Sequence, residues 1–407
     1  MNNKIIAVFT GNRAEYGLQF PILKAIDAHP DLEYRLIVSG AHLDDDFGST
    51  LKEIKSDGFT IHAQVNIDME DETSSSTANA IGSGIISMTK ALTDIKPEML
   101  VVYADRFEGF AAVIAGTQMS IPTAHIEGGD ITEGGALDDS VRHAMTKLAH
   151  IHFTTNEQAT NRLLGMGEEK WRVHTVGFPA IDMIQNGQVA SSEKLQDLYD
   201  LNLDKPIVLF TQHSVTTEYD FAKNQIQPSL EAMKKLANDG VQVILTYPNN
   251  DAGGKAIIRE LESFMIHKIE NIQLHTSLGR FNYHGVLALA RSSDIRIVCV
   301  GNSSSGIKET PAFGCPTVNI GSRQLNRLRA ENVVDADYDV NDIYSAVNKC
   351  LFDDEYRKIC ANCVNPYGIG DAGKKIAEVL ASLKLDNKVI RKGMTLRGEC
   401  NEDGWCR

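Results

Sequence analysis

Apolar, β-rich runs alternate with helix-period segments along most of this 407-residue chain. The runs KIIAVFT, YRLIVSG, MLVVYAD and IPTAHIE are separated by segments such as YGLQFPILKAIDAH and GFAAVIAGTQ. This alternation predicts parallel strands that helices cover on both faces. It begins again with PIVLFTQ at residue 206 and continues through VQVILTYPN, NIQLHT, IRIVCVGN and CPTVNIG. The predicted fold class is therefore α/β, with two Rossmann-like doubly wound domains.

Length supports a two-domain chain, since single cores stop growing near ~250–300 residues. We expect an N-terminal domain over residues 1–185 and a nucleotide-binding domain over 205–370. Residues 186–204 have few large apolar side chains and are predicted to be a linker. A helix-period apolar stripe predicts a docking helix over 371–385, and the charged segment 386–407 is expected to be peripheral.

Charge and cysteine content narrow the function classes. A net charge of -14 and a pI near 5.3 disfavour nucleic acids and anionic membranes as partners. No apolar run reaches the roughly 20 residues of a membrane span, so we expect a cytoplasmic protein. Cys360 and Cys363 have zinc-knuckle spacing without a second ligand pair, and we expect neither a metal nor a cofactor. Cys400 and Cys406 lie in the polar tail GECNEDGWCR, which leaves open both a disulfide and disorder.

The stretch HIEGGDITEGGALDDSVRH, residues 125–143, is rich in both glycine and acids. Phosphate-binding loops need glycine, but they present N–H donors and a lysine, so these carboxylates would repel a phosphate. Ligands of open α/β sheets sit beyond the carboxyl ends of the strands. Asp105 and the acids of the 125–143 loop follow predicted strands and are therefore candidate site residues.

VGNSSSGIKE at 300–309 is the better phosphate candidate. A strand runs into small residues and a helix start, so backbone N–H groups and hydroxyls converge on one anion. The alternative is an ordinary serine-capped helix. Glu309, one turn into the helix, could accept a hydrogen bond from a ribose hydroxyl.

Several motifs in order resemble one family. GNRAEYG, GAHLDDDFG, YADRFE, HIEGG with ALDDSVRHAMTKLAH, FTQHSVTTE, YPNNDAGG and VGNSSSGIKETPAFGCPTVNIGSRQ resemble the UDP-N-acetylglucosamine 2-epimerases, particularly their hydrolysing branch. The resemblance covers residues 4–380. It implies the glycosyltransferase-B architecture, with two Rossmann-like domains facing across a cleft. It also implies release of UDP and free N-acetylmannosamine, or a 2,4-diacetamido-6-deoxy analogue, for sialic or legionaminic acid synthesis.

The family's chemistry accounts for the carboxylates, because inversion at C2 needs a base on one face and an acid on the other. The resemblance implies catalytic roles for Asp105, Glu127 and Asp138, without deciding which is base and which is acid. Asp139 and Arg142 are expected to orient them. His42 is expected near the sugar.

The remaining predicted site residues belong to the nucleotide. His213 is expected to donate to the leaving diphosphate. The implied nucleotide contacts are Arg13, Ser303, Ser304, Gly306, Glu309 and Arg323. Arg106 either adds charge there or pairs with Asp105.

The sequence shows one departure from the family and leaves two alternatives open. Relatives often carry a lysine shortly after the NRA motif, where this chain reads Glu15-Tyr16-Gly17-Leu18-Gln19. UDP or GDP, and the substituents at C4 and C6, are left undecided. A glycosyltransferase of the same architecture, or a non-catalytic nucleotide-sugar sensor, would share many of these features. We expect a nucleotide-sugar substrate and a homo-oligomer.

Overall fold

The computed structural model describes residues 3–43, 50–67, 74–131, 137–187, 189–249 and 252–395. The chain divides into two compact units. Met1–Asp130, Leu137–Asp182 and Tyr367–Arg407 form the first, and Ile131–Ala136 with Met183–Pro366 form the second. The chain therefore leaves the first unit and returns to it after Pro366.

Each unit contains one fully parallel sheet. The first sheet has the order β3-β2-β1-β4-β5-β6-β7, and the second has the order β10-β9-β8-β11-β12-β13. In each sheet the strand order reverses next to the first strand, between β1 and β4 and between β8 and β11. This position is the switch point where Rossmann-like folds bind ligands. The predicted α/β class with two Rossmann-like domains is confirmed. The strands are β1 Lys4–Thr10, β2 Leu32–Ser39, β3 Ile61–Val65, β4 Met99–Tyr103, β5 Thr123–Ile126, β6 Ile151–Thr154, β7 Val173–Thr175, β8 Ile207–Thr211, β9 Gln242–Thr246, β10 Ile272–His275, β11 Ile297–Gly301, β12 Thr317–Ile320 and β13 Val333–Ala336.

Helices connect and cover the strands. They are α1 Arg13–Asp27, α2 Thr50–Ser56, α3 Ser74–Ile95, α4 Phe107–Gln118, α5 Leu137–Leu148, α6 Glu157–Gly165, α7 Ala180–Gln185, α8 Ser192–Tyr199, α9 Ala222–Asn238, α10 Gly254–Met265, α11 Gly279–Ala288, α12 Ser305–Lys308, α13 Val340–Phe352, α14 Asp354–Asn362, α15 Ala372–Ser382 and α16 Asn387–Ile390. Within the described ranges, every helix is too short or too polar to span a bilayer.

Residues 186–204 differ from their predicted role as a linker. They contain α8, and Leu195 and Tyr199 are buried with Ile207 and Leu209 of β8. These two side chains are four residues apart, so they lie on one face of α8 and cover one side of the second sheet. The opposite side is covered by α9, which packs against Phe210. The segment is therefore part of the second core.

The end of the described chain also differs from prediction, because residues 386–395 are not peripheral. Arg172 is fully buried in the first unit. Its guanidinium donates to three backbone carbonyl oxygens around α16, those of Lys388, Val389 and Arg391, at 2.7–2.9 Å. A buried guanidinium needs such acceptors, which local sequence composition does not reveal. Residues 396–407, including Cys400 and Cys406, lie outside the described ranges.

Lys392 fastens this segment to α5. Its Nζ donates to three carbonyl oxygens at the end of that helix, those of Thr146, Lys147 and Ala149, at 2.8, 3.0 and 2.6 Å. The same ammonium pairs with the buried Glu168 at 2.7 Å. Burial lowers the pKa of Lys392 to about 8, so the ammonium remains charged at neutral pH. A cation at this position also complements the helix dipole.

We expect Lys392→Met to destabilise the protein by about 1–3 kcal/mol, because it leaves buried carbonyl oxygens without a donor. Urea unfolding at neutral pH measures the change. Lys384→Met, at an exposed position after α15, is the matched control and should stay within about 0.5 kcal/mol of the wild type. Equal unfolding midpoints for the two variants would contradict this role of Lys392.

Candidate active site

The carboxyl ends of β1, β4 and β5 meet at one edge of the first sheet, because these strands are neighbours. Residues that follow them therefore come together, as the sequence analysis predicts. Gly11 follows β1, Asp105 follows β4 after a single residue, and Glu127 directly follows β5.

Arg142 lies at the centre of this edge. Its side chain is 4% exposed, and it forms an ion pair with Asp105 and another with Asp139 at 2.9 Å. It also donates to the backbone carbonyl oxygen of Asp130 at 2.8 Å. Burial alone lowers the pKa of Arg142, but Asp105, Glu127, Asp130 and Asp139 outweigh burial and raise it. One buried cation therefore neutralises part of a four-carboxylate cluster.

The backbone after β5 requires unusual conformations. Glu127 is buried and has a φ of 66°, in the left-handed region that side chains other than glycine rarely adopt. Gly129 has a φ of 81°, and a Cβ there would overlap Leu163 and the Ala159 carbonyl oxygen. Asp130 then turns inward and accepts hydrogen bonds from Thr155 and Asn156 at 3.0–3.1 Å. Asp130 is thus a buried member of the cluster that the sequence analysis did not single out.

The structure distinguishes the two predicted aspartates of α5. Asp139 is buried against Arg142, whereas Asp138 is exposed on the first turn of the helix. The residues that precede them, 132–136 of the acidic loop, lie outside the described ranges. Asp105, Glu127, Asp139 and Arg142 are therefore brought together, with Asp138 on the solvent side of the same helix.

Arg106 differs from the predicted pairing with Asp105. Asp105 pairs with Arg142, and Arg106 contacts the buried Glu108 through Nε and Nη2 at 3.3 and 3.4 Å. His42 is buried, with Nε2 3.1 Å from Thr10 Oγ1, and burial lowers its pKa to about 4. Most of the motif that follows His42, residues 44–49, lies outside the described ranges. Arg13 begins α1, but its side chain is outside the described part of the chain.

Glu15 is a second acid that the sequence analysis did not assign to the site. Its Oε2 accepts from the Gly11 N–H at 2.8 Å, and its backbone N–H donates to Asn12. Burial raises the pKa of Glu15 to about 8, with a further upward contribution from Glu108. The available sequence signal is the pattern Asn12-x-x-Glu15, which resembles a helix capping box.

The raised pKa of Glu15 predicts a pH-dependent stability. Below about pH 4.5 the carboxyl is protonated in both folded and unfolded chains, so it imposes no pH-linked penalty. Between about 4.5 and 8 only the unfolded chain releases the proton. Stability therefore falls as the pH rises through this interval, by ~1.4 kcal/mol for each pH unit.

Glu15→Gln keeps the acceptor and removes the titration, so its unfolding free energy should fall less than that of the wild type over this interval. Chemical unfolding at several pH values from 5 to 8 measures the difference. Glu53→Gln, at a partly exposed position on α2, controls for an amide substitution elsewhere in the unit. Parallel pH profiles for wild type and Glu15→Gln would exclude a buried, protonated Glu15.

In the second unit, Asn302 joins the ends of β8 and β11. Its Oδ1 accepts from the His213 N–H at 2.6 Å, and its Nδ2 donates to the His213 carbonyl oxygen at 2.9 Å. The preceding Gly301 has a φ of 130°, and a Cβ there would overlap the Thr211 carbonyl oxygen. Arg323 and Gln324 both donate to the Asn302 carbonyl oxygen, at 3.2 and 2.9 Å. Asn302 therefore organises the backbone where β8 and β11 end, a role that the sequence did not reveal.

The imidazole of His213 has a defined protonation state. Its Nδ1 accepts from the Asn249 N–H at 3.0 Å, so the proton of the neutral ring is on Nε2. Burial lowers the pKa of His213 to about 3, and Arg323 contributes in the same direction. His213 is therefore a neutral Nε2–H donor at physiological pH.

The serine loop is not a simple capped helix. Ser304 precedes α12 but makes no side-chain capping bond, whereas Ser303 Oγ accepts from the Ser305 N–H at 3.4 Å. Gly306 N–H donates to the Ser303 carbonyl oxygen at 3.2 Å. Glu309 lies 2.7 Å from His284 Nε2 through its Oε2. Among the described residues, no group of three or more His, Cys, Asp or Glu side chains could hold a metal ion.

Comparison with known proteins identifies relatives across nearly the whole chain. The family model of UDP-N-acetylglucosamine 2-epimerase matches residues 24–381. The chain is 34% identical over 392 residues to the UDP-N,N'-diacetylbacillosamine 2-epimerase (hydrolyzing) of Legionella pneumophila, which covers 96% of this chain and 99% of that protein. It is 34% identical over 347 residues to the UDP-N-acetylglucosamine 2-epimerase of Neisseria meningitidis serogroup B, with 85% and 87% covered.

A solved structure shows the same fold. The crystal structure of UDP-GlcNAc 2-epimerase from Neisseria meningitidis bound to UDP-GlcNAc has a TM-score of 0.77 at 21% identity, covering 93% of this chain and 100% of that chain. This similarity and the two parallel sheets show a fold of two Rossmann-like domains. The family model and the sequence relatives show that the protein is an enzyme. It belongs to the UDP-N-acetylglucosamine 2-epimerase family, which confirms the family predicted from its motifs.

Proposed function

We propose that this enzyme is a hydrolysing 2-epimerase that converts a UDP-linked 2-acetamido sugar into UDP and the free 2-epimeric sugar. The observation that carries the proposal is the buried Arg142, which pairs with Asp105 and Asp139 beside Glu127 at adjacent strand ends. Epimerisation at C2 requires a base and an acid, since a proton must leave one face of the ring and return to the other, and carboxyl groups can fill both roles.

The proposed reaction has two steps. In the first, a carboxylate removes the C2 proton while the bond between C1 and the diphosphate oxygen breaks. UDP departs, and a C1–C2 double bond forms. In the second, water adds its oxygen to C1 while an acid delivers a proton to the opposite face of C2. The sum is one UDP-sugar and one water giving UDP and the epimerised free sugar.

We assign these proton transfers to Asp105, Glu127 and Asp138, with Arg142 and Asp139 as orienting neighbours. Asp105 and Glu127 follow adjacent strands of a rigid sheet, which supports a fixed separation between them. Preorganised charges in a site that excludes water stabilise developing charge by several kcal/mol in typical enzymes.

The second unit supplies the contacts for the nucleotide in this proposal. His213 Nε2–H and Arg323 are suited to the diphosphate, because a neutral N–H donor and a cation both favour an anionic leaving group. Ser303, Ser304 and the Gly306 backbone follow β11, the usual phosphate position of such sheets. Glu309 has one carboxylate oxygen beside His284, and we assign its other oxygen to a ribose hydroxyl. Arg13 completes the proposed set, and His42 is assigned to the sugar.

The substrate class follows from the relatives' names, and two sugars are candidates. One relative is named for UDP-N,N'-diacetylbacillosamine and the other for UDP-N-acetylglucosamine, at the same identity. We propose that the substrate is a UDP-linked 2-acetamido sugar of gluco configuration. Its free 2-epimer would be a precursor for nonulosonic acid synthesis.

The reaction is tested by NMR in heavy water, with either UDP-sugar and no acceptor. We expect free UDP and a free 2-epimeric sugar carrying deuterium at C2, with the faster substrate identifying the C4 and C6 substituents. Intact nucleotide sugar that reacts only after an acceptor alcohol is added would indicate a glycosyltransferase. Saturable binding without any turnover would indicate a sensor.

The carboxylate assignments predict distinct variant phenotypes. Asp105→Asn, Glu127→Gln and Asp138→Asn should each lower kcat by roughly 10²–10⁴-fold, the usual contribution of a general acid or base. A variant that lacks the first-step base forms no glycal, whereas one that lacks the second-step acid accumulates it, so NMR of the products assigns the roles. Asp94→Asn, an exposed aspartate at the end of α3, is the control. Normal turnover by all three variants would refute the assignments.

A further inference from the structure

Two residues that follow the ends of β4 and β5 have left-handed backbone conformations although they are not glycine. Ala104 has a φ of 55° and directly precedes Asp105, and Glu127 has a φ of 66°. Such conformations cost a side-chain-bearing residue roughly 1–2 kcal/mol, so surrounding contacts must hold them. The backbone provides part of this support, because Ala104 N–H donates to the Ile126 carbonyl oxygen at 3.0 Å and Glu127 N–H donates to that of Phe153 at 2.9 Å.

His125 holds the turn at Ala104 through the carbonyl oxygen of that residue. It is fully buried on β5, and its Nε2 lies 2.6 Å from the Ala104 carbonyl oxygen. A carbonyl can only accept, so Nε2 carries the proton and donates. Nδ1 must then accept, and its neighbour is Thr146 Oγ1 at 3.1 Å. Burial lowers the pKa of His125 to about 3, so the ring stays neutral in this tautomer throughout the physiological range.

The backbone of Gly128 packs closely against this imidazole and against Thr146. A Cβ at Gly128 would lie 2.9 Å from Thr146 Oγ1, closer than real Cβ atoms approach, and 3.0 Å from His125 Nδ1, which is an unusually tight contact. Thr146 is on α5, four residues after Arg142, which is the ion-pair partner of Asp105. The two partners of His125 thus belong to the two elements that carry Asp105 and Arg142.

We propose that His125 is a positioning residue that fixes the Ala104–Asp105 peptide and, through the Thr146 hydroxyl, ties it to the helix that bears Arg142. This inference rests on the proposed function, in which Asp105 takes part in proton transfer. His125 itself performs no proton transfer, since both ring nitrogens are occupied by protein groups. Its hydrogen bonds fix the backbone that carries the Asp105 carboxylate without contacting that carboxylate.

A pair of isosteric substitutions isolates the critical hydrogen bond. In His125→Gln, the amide nitrogen occupies the place of Nε2 and can still donate to Ala104. In His125→Asn, the shorter amide replaces only the Nδ1 position and cannot reach Ala104. We expect His125→Asn to lower kcat by roughly 10–100-fold with KM changed less than about threefold, because a misplacement of about 1 Å can cost 10²-fold in rate. His125→Gln should recover most of the loss.

Thr146 provides a second matched pair. Thr146→Ser keeps the hydroxyl and should retain activity, whereas Thr146→Val keeps the shape without the donor and should lower kcat in the same direction as His125→Asn. If His125→Asn does not fold, the comparison of Thr146→Ser with Thr146→Val still tests the positioning role of His125. Equal kcat for wild type, His125→Asn and Thr146→Val, with thermal unfolding midpoints unchanged, would overturn the proposal. So would a folded His125→Gln as slow as His125→Asn.

A spectroscopic readout separates this inference from the proposed function. The sequence contains only two Ala–Asp pairs, Ala104–Asp105 and Ala336–Asp337. Labelling alanine carbonyls with ¹³C and aspartate amides with ¹⁵N therefore yields two carbonyl–amide correlations, and the Ala336 signal serves as the internal reference.

The expected result is that the Ala104–Asp105 correlation moves in His125→Asn and returns towards its wild-type position in His125→Gln, while the other stays. A stationary correlation in His125→Asn would refute the positioning role whether or not the wild type turns over. A wild type without turnover but with a moving correlation would refute only the proposed function.

Discussion

The first unit depends on one buried guanidinium. Arg142 neutralises two carboxylates through direct ion pairs and lies in the field of two more. A charge cluster of this kind is stable only while the cation is present, because removing one partner of a buried pair leaves uncompensated charge in a low-dielectric region. The carboxylates, the strand ends that carry them and α5 are therefore held together by the same side chain. The far end of α5 is fastened by Lys392, so the residues around position 392 support the helix that presents Arg142.

In both units, neighbouring strands end in turns that need unusual backbone conformations. Each unit uses residues with positive φ where a strand ends and the chain turns. In the first unit these are Ala104 and Glu127, and in the second it is Gly301. Buried amide or imidazole side chains then hold the turned backbone, His125 in one unit and Asn302 in the other. Polar groups buried in this way rigidify a site because their donors and acceptors have partners.

Sequence periodicity predicts the central strands well and the edges poorly. β1, β4, β8, β9 and β11 are mostly apolar runs, and each is predictable because a strand buried on both faces carries mainly apolar side chains. Three of the four edge strands, β3, β7 and β13, are only partly buried, and their composition carries a weaker signal. The fourth edge strand, β10, lies within the predicted run NIQLHT. His152, which is buried beside Glu168 at 2.9 Å, interrupts the apolar pattern of β6. The short helix α8 resembles a linker in composition. Its buried face consists of only two side chains, Leu195 and Tyr199, and two residues are too few to show a clear helical period.

The sequence by itself determined the alternation of strands and helices, the two-domain organisation and the identity of the residues that follow each strand. These properties depend on neighbours along the chain, where periodicity is directly visible. The tertiary structure decided which acid pairs with which base, which aspartate of α5 is buried, and which ring nitrogen of His125 and His213 carries the proton. These depend on partners far away in sequence: Asp105 and Arg142 are 37 residues apart, and His213 and Asn302 are 89 apart. Charge and protonation follow the local dielectric and the nearest polar atoms, and only folding brings those atoms together.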